Sequence, residues 1–164
     1  MNKITLINNS KIKFSEIKIK RIINTIFKLI KKNKIEINFL FVNNDEIIEY
    51  NKKYFKRDCP TDVIAFPFEN EFYFYKQNKN KIKYIGDILI SLEQVKINAD
   101  YYKISFEEEF QRVLIHGILH LFGYTDKGKE NKKKMFELQE KILKNIKKFS
   151  NKKIIKNLDK LKIV

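Results

Sequence analysis

The sequence predicts a single α/β domain in which a small mixed sheet of about four strands packs against about five helices. Three observations support this prediction. Apolar residues recur at helical spacing over 15–32, alternate with polar residues over 35–43, and form a nearly continuous run over 110–122. The length of 164 residues is that of one domain, and a domain of this size buries about 70% of its unfolded surface.

The first half of the chain contains two predicted helices and one predicted strand. The spacing of the isoleucines predicts a helix over 15–32, and the alternation of apolar side chains predicts a strand over 35–43. Asn44 or Asp45 is a typical N-cap residue, which indicates a short helix that ends near Tyr54.

The second half is predicted to hold two short strands at 61–66 and 86–91, followed by helices over 92–103 and 106–122. The polar and aromatic stretch 69–83 lacks a clear periodicity, and we interpret it as a loop or an irregular hairpin. The helix at 106–122 is apolar on nearly all sides, which is typical of a helix buried inside a domain.

The chain ends with an amphipathic helix and a lysine-rich tail. One apolar face predicts a helix over 129–148, and residues 149–164 are interpreted as a tail. No repeat or linker divides the remainder, so residues 1–148 are expected to form the domain.

The chain carries 35 basic and 20 acidic residues, a formal net charge of +15. A basic surface attracts the phosphates of nucleic acids. However, 32 of the basic residues are lysines, and AT-rich codons explain a composition dominated by Lys, Ile and Asn equally well. The single Cys59 has no partner for an internal disulfide, and no apolar run is long enough for a signal or membrane segment, so we expect a cytoplasmic protein.

The two histidines of the chain, His116 and His120, lie four residues apart on the predicted buried helix. Four residues correspond to about 400° of helical rotation, so both imidazoles point to the same side, about one turn apart. Two neutral imidazoles in this arrangement can bind one cation. The alternative is that each is a core histidine bonded to a backbone carbonyl.

The residues that follow extend this pair into a longer motif. Gly123 is expected to end the helix, which lets the chain turn back and brings Asp126 toward the imidazoles. The pattern H-G-x-x-H-x-x-G-x-x-D is close to the zinc-protease pattern H-E-x-x-H-x-x-G-x-x-H, but Gly117 stands where those proteases have their glutamate base. His116, His120 and Asp126 therefore predict one zinc site with an open fourth position. The alternative for Asp126 is a helix-end cap or a solvated carboxylate.

Three ordered stretches resemble the YbeY family of metal-dependent endoribonucleases, which prefer single-stranded RNA and act in ribosomal RNA maturation. The stretches are HGILHLFGY at 116–124, NKKYFKRDCPTDVIAFP at 51–67 and IGDILIS at 85–91. They are similar to the family patterns H-G-x-L-H-L-x-G-Y-D-H, N-x-x-Y-R-x-x-D-x-P-T-D-V-L-S-F-P and L-G-D-I-x-I-S. The resemblance implies a zinc enzyme that acts on the 3′ end of 16S ribosomal RNA, associates with the small ribosomal subunit and serves ribosome quality control.

Two positions depart from the family pattern. Asp126 stands where the family has a histidine, and a carboxylate ligand also suits harder ions such as manganese. Phe55 stands where the family has an arginine that is implicated in activity. The resemblance therefore implies Arg57, or else Lys56, as the RNA-binding group, and Arg57 is also the candidate for neutralising charge on phosphate.

We hypothesise metal-assisted phosphodiester cleavage, in which the cation polarises a phosphoryl oxygen and activates water. Asp62 and Asp87 are candidates for orienting a ligand histidine, although turn or capping bonds are the usual role of aspartates at strand starts. Tyr54, Phe66 and Tyr124 are candidates for stacking on unpaired bases, and the alternative for each is a place in the core.

Two other functions are compatible with the sequence. One is a different metal-dependent hydrolase, which needs a carboxylate base such as Glu69 or Glu71 beside the metal. The other is a non-catalytic, ribosome-associated RNA-binding factor that keeps the metal for structure. Cleavage of single-stranded ribosomal RNA by the metal-loaded protein distinguishes these functions from the nuclease.

Overall fold

The computed structural model describes residues 1–68 and 82–147, and it confirms a single domain with four strands and five helices in these ranges. In chain order the elements are β1 (Lys3–Asn8), α1 (Glu16–Leu29), β2 (Ile35–Val42), α2 (Asn44–Phe55), β3 (Val63–Pro67), β4 (Lys83–Ser91), α3 (Leu92–Tyr102), α4 (Phe106–Leu121) and α5 (Lys129–Lys147). Most of the predicted loop at 69–83 and all of the predicted tail at 149–164 lie outside the described residues.

The strands form one mixed sheet in the order β1-β2-β4-β3. Strands β1, β2 and β4 are parallel, and β3 is antiparallel to β4. The sequence analysis assigns no element to β1, because six residues with exposed and half-buried side chains carry little hydrophobic signal. The parallel pairing with β2 is what shows that these residues form a strand. The boundaries also differ, since β4 begins three residues before the predicted start at 86.

One face of the sheet packs against α1, α4 and α5 to form the main core. Ile37, Phe39 and Phe41 of β2 point to this face and are fully buried. Burying a side chain of this kind stabilises the fold by roughly 1.5–3 kcal/mol. Helix α4 lies on β3 and β4 and is buried on nearly all sides, as predicted. Although α4 is apolar, none of the helices in the described ranges has the length and apolar character that crossing a bilayer requires.

The opposite face of the sheet is covered in part by α2. This helix begins with a capping box, in which the Asn43 side chain accepts a hydrogen bond from the Glu46 N–H at 2.9 Å and the Glu46 carboxylate accepts one from the Asn43 N–H at 3.3 Å. A second, smaller core lies between α2 and the sheet and contains Val42, Ile47, Ile64 and Leu89. Beyond it, this face borders an open pocket near Asn38 and Asp87.

Two glycines permit close contacts between backbone and side chains at the end of the sheet next to α4. At Gly117 of α4, a Cβ would lie 3.1 Å from methyl carbons of both Val63 and Ile88. At Gly86 of β4, φ is +137° and a Cβ would lie 2.2 Å from the carbonyl oxygen of Phe66. The first contact brings the histidine-bearing half of α4 directly onto β3 and β4.

Replacing Gly86 by alanine is expected to lower the free energy of unfolding by about 3 kcal/mol or more, because the new Cβ collides with the β3 backbone and a φ of +137° adds about 1–3 kcal/mol. Gly128→Ala is the matched control, since Gly128 also has a positive φ but has no atom within 4 Å of an added Cβ. That variant is expected to lose only about 1 kcal/mol. Urea unfolding measures both changes. Equal losses would show that backbone conformation alone, and not the close contact, requires glycine at position 86.

Candidate metal centre

His116 and His120 project from the same side of α4, as their spacing predicts. Their Nε2 atoms lie 2.9 Å apart, and the two rings are nearly perpendicular, at 82°. A carboxylate oxygen of Asp126 completes the group, since the three donor atoms all lie within 4.8 Å of one another. The structure therefore brings together the three residues that the sequence predicts as ligands.

The turn after α4 carries Asp126 back toward the histidines. Gly123 has a φ of +85°, a conformation that glycine adopts readily after a helix end. Its N–H donates to the carbonyl oxygen of His120 at 3.0 Å, and the N–H of Tyr124 donates to that of Leu119 at 3.1 Å. These bonds fix the direction in which the chain leaves the helix, and Asp126 follows two residues later.

The second ring nitrogen of each histidine has a defined partner. His116 Nδ1 lies 3.0 Å from Oε1 of Gln139, and His120 Nδ1 lies 2.9 Å from the backbone carbonyl oxygen of Tyr124. Because both partners are acceptors, each Nδ1 carries the proton. In neutral rings, the form that binds a metal, both Nε2 atoms are then proton-free and direct their lone pairs to the same point.

This arrangement fits a divalent cation. Two lone pairs that face each other at 2.9 Å repel unless a positive charge lies between them. Zinc–nitrogen bonds of about 2.0–2.1 Å at a tetrahedral angle place two nitrogens roughly 3.3 Å apart, close to the separation of His116 and His120. Imidazole nitrogen and carboxylate oxygen both bind zinc, and three protein ligands leave a fourth position for water or substrate.

The electrostatics of the site favour a neutral imidazole at His120. Burial lowers the pKa of His120, and the neighbouring His116 lowers it further, whereas the Tyr124 carbonyl and Asp126 oppose these effects. The net direction is downward from the usual value of 6.5, which favours the uncharged form of His120 at neutral pH. A neutral imidazole is the form that binds a metal.

The two aspartates that the sequence suggests as partners of the histidines occupy different places. Asp62, just before β3, lies within electrostatic range of His116: burial raises the pKa of Asp62, and His116 opposes this increase. Asp87 points away from α4, because its neighbour Ile88 faces that helix and successive strand residues face opposite sides. Its carboxylate instead bonds side chains on the other face of the sheet. Asp87 therefore does not orient the histidines.

The residue that does hold His116 is Gln139 on α5, which the sequence analysis does not single out. Gln139 is only 6% exposed. It interrupts the otherwise apolar buried stripe of α5, which includes Met135, Ile142 and Ile146. A polar residue at a buried helix position needs a hydrogen-bond partner, so this interruption is a signal that the sequence contains.

A partly buried charged network fastens α5, and with it Gln139, to α4. The Arg112 guanidinium donates to Glu108, Glu109 and Glu140 at distances of 3.0–3.2 Å. Glu140 directly follows Gln139 on α5. Burial raises the pKa of Glu109, and Arg112 opposes this increase. The network maintains the helix spacing that the histidine–glutamine bond requires.

The loop between α2 and β3 carries the two basic candidates. Lys56 follows α2 in a left-handed conformation, and its Nζ donates to the Lys53 carbonyl oxygen at 3.4 Å. Arg57 is exposed, and its guanidinium makes no hydrogen bond or ion pair with any part of the chain that the structure describes. Cys59, in the same loop, is an exposed free thiol.

The other residues singled out from the sequence differ in exposure. Tyr54 and Tyr124 are 52% and 43% exposed, so their rings are accessible, whereas Phe66 is half-buried. Glu69 and Glu71, the bases required by a different hydrolase, lie outside residues 1–68 and 82–147. The rings of Tyr54 and Tyr124 are therefore accessible enough to stack on unpaired bases.

A family model described as endoribonuclease YbeY matches residues 5–147. The endoribonuclease YbeY of Acholeplasma laidlawii is 43% identical over 122 residues, which cover 74% of this chain and 82% of that protein. Its counterpart from Fusobacterium nucleatum is 41% identical over 126 residues, with coverages of 73% and 76%. The solution structure of TM1509 from Thermotoga maritima aligns with 87% of this chain and 88% of its own, at 29% identity and a TM-score of 0.59. The chain thus belongs to the YbeY family of endoribonucleases, which are RNA-cleaving hydrolases.

Proposed function

We propose that this chain cleaves single-stranded RNA with a zinc ion held by His116, His120 and Asp126. The observation that supports this most is the convergence of two Nε2 atoms and a carboxylate oxygen in a member of an endoribonuclease family. We further propose that the RNA is ribosomal, that the 3′ end of the 16S molecule is the target, and that the protein serves maturation and quality control of the small ribosomal subunit in the cytoplasm. The domain of this enzyme spans residues 1–148, and 149–164 form its tail.

The proposed mechanism divides the work between the metal and the side chains. When bound, a divalent cation supplies Lewis acidity, which polarises a phosphoryl oxygen and makes water more acidic. His116 and His120 hold it as neutral donors whose orientation is fixed at Nδ1. Gly117, which follows His116, has no side chain that can act as a general base. The mechanism of peptide hydrolysis that zinc proteases use is therefore not available. Asp126 is exposed, so RNA can approach the site from its side.

Charge that develops on the phosphate needs a cationic partner. We assign this role to Arg57 rather than Lys56, because the Arg57 guanidinium is unoccupied among the described residues while the Lys56 ammonium bonds a carbonyl oxygen. A guanidinium can also donate two parallel hydrogen bonds to phosphate, which an ammonium cannot do.

Replacing His116 by alanine is expected to remove near-stoichiometric zinc and to lower RNA cleavage by at least about 100-fold, since only two ligands remain. Elemental analysis and cleavage of single-stranded ribosomal RNA measure the two effects. Asp100→Ala is the control, because Asp100 is an exposed acidic residue on α3. Cleavage that survives in His116→Ala would contradict the proposal. RNA binding without turnover by the zinc-loaded chain would favour the non-catalytic ribosome-associated factor.

Gln139→Leu is expected to weaken zinc binding by about 10–100-fold, because His116 loses the acceptor that fixes its tautomer and ring orientation. Gln139→Glu, which keeps an acceptor at this position, is expected to restore binding. Zinc transfer to a chelator measures the affinity without reference to activity. The matched control is Gln111→Leu, since Gln111 is also buried but its Oε1 has no partner in the described structure. Equal effects at 111 and 139 would indicate general destabilisation instead.

Arg57→Ala is expected to lower kcat/KM for single-stranded RNA by about tenfold or more, with Arg57→Lys recovering only part of the loss. Arg21→Ala provides the comparison, because Arg21 is an exposed arginine on α1. It removes the same charge from a surface distant in sequence from the loop. If both alanine variants reduce kcat/KM equally, overall charge rather than a phosphate contact explains the effect.

A further inference from the structure

A pocket of about 360 Å³ lies on the face of the sheet that does not carry the metal ligands. It forms where α2 leaves the sheet uncovered, and it opens to solvent. Its nine lining residues include the aromatic residues Tyr50, Tyr54 and Phe66 and the polar residues Asn38 and Asp87, and the rest are apolar. Its volume is at the lower end of the range for small-ligand sites, about 300–1,000 Å³, and suits a single planar group.

The aromatic wall of this pocket is ordered and accessible. The rings of Tyr50 and Tyr54 are nearly parallel, at 12°, with centroids 6.3 Å apart. Phe66 meets Tyr54 edge to face at 5.0 Å. Tyr54 is 52% exposed, and the Lys53 ammonium lies 5.3 Å from its ring centroid. An exposed ring next to a cation is the combination on which single-stranded nucleic acids stack.

The polar side of the pocket presents a hydrogen-bond acceptor. Asn38 Nδ2 and the Tyr84 hydroxyl both donate to Oδ1 of Asp87, at 2.8 and 2.6 Å. Burial and the bond to Asp87 raise the pKa of Tyr84, so its hydroxyl stays protonated and remains the donor. The other carboxylate oxygen, Oδ2, has no donor within the described part of the chain. A ligand with an N–H group can therefore use it.

We propose that this pocket takes one unpaired nucleobase of the RNA substrate, and that Asp87 selects bases with an exocyclic amino group over uracil. The amino group of cytosine, adenine or guanine can donate to Oδ2 of Asp87. Uracil lacks an amino group, and its only exchangeable ring N–H lies between two carbonyl oxygens that repel a carboxylate. This inference rests on the proposed function, because it assumes that single-stranded RNA is the substrate.

The strand β3 borders both the pocket and the metal centre, since Phe66 lines the pocket and Val63 packs against Gly117 between the two histidines. Phe66 contributes its ring to the pocket, while its backbone carbonyl approaches Gly86 beside the Leu121 side chain at the end of α4. At Phe66 the sheet ends, because β3 is its edge strand. Arg57 lies in the loop that joins α2, on the pocket side, to β3.

The test measures RNA affinity in a chain that cannot cleave. In a His116→Ala background, fluorescence anisotropy at fixed salt compares labelled oligocytidylate with oligouridylate of about ten nucleotides, since these bases differ in the amino group. Tyr54→Ala is expected to weaken both oligomers by about tenfold, whereas Tyr101→Ala, which truncates a 79% exposed tyrosine on α3, leaves both unchanged. Asp87→Asn is expected to weaken oligocytidylate by about tenfold without weakening oligouridylate.

The outcomes separate this inference from the proposed function. If the His116→Ala chain binds RNA but Tyr54→Ala and Asp87→Asn change neither affinity nor base preference, the pocket does not take a base and the nuclease proposal stands. If the unaltered zinc-loaded chain neither binds nor cleaves single-stranded RNA, the proposed function itself fails. Thermal unfolding of each variant confirms that the fold is retained.

Discussion

The 2.9 Å separation of the His116 and His120 Nε2 atoms imposes the strictest requirement in this molecule. When both rings are neutral and protonated at Nδ1, the two Nε2 atoms repel unless a positive charge lies between them. The arrangement also depends on three other conditions. Helix α4 must keep both histidines on the same side. The turn after it must present a carbonyl oxygen to His120, and α5 must present a hydrogen-bond acceptor to His116. Each condition is met by a different part of the fold. The metal centre is therefore a property of the whole α4–α5 corner.

That corner is held by both apolar packing and charge. The buried side chains of α4 fix the helix against the sheet, and glycine at 117 allows it to approach closely. Arg112 joins carboxylates from both helices, and Lys147 at the end of α5 adds an ion pair to Glu108 at 2.7 Å. The lysine is the main reason that the pKa of Glu108 is lowered. These ion pairs add to the apolar packing that holds α5 against α4.

The sequence predicts features that depend on local geometry and misses those that depend on distant partners. The histidine pair follows from helical rotation, and Asp126 follows from a glycine turn, because both relations span ten residues or fewer. Gln139 is 23 residues from His116, and no local rule connects them. The sequence also does not predict which face of the sheet the Asp87 side chain lies on, since β4 is buried on both faces and its apolar residues do not alternate clearly. Strand β1 at the sheet edge was missed for the opposite reason, a signal too weak to separate from a loop.

The different partners of the two histidines have an evolutionary consequence. His120 is oriented by a backbone carbonyl, which no substitution at position 124 removes while the turn persists. His116 is oriented by a side chain, and a single nucleotide change converts a glutamine codon into a glutamate codon. Mutation can therefore adjust the electron donation of one ligand while the other stays constant. A lineage could tune how tightly it holds its metal through position 139 without altering any residue that touches the ion.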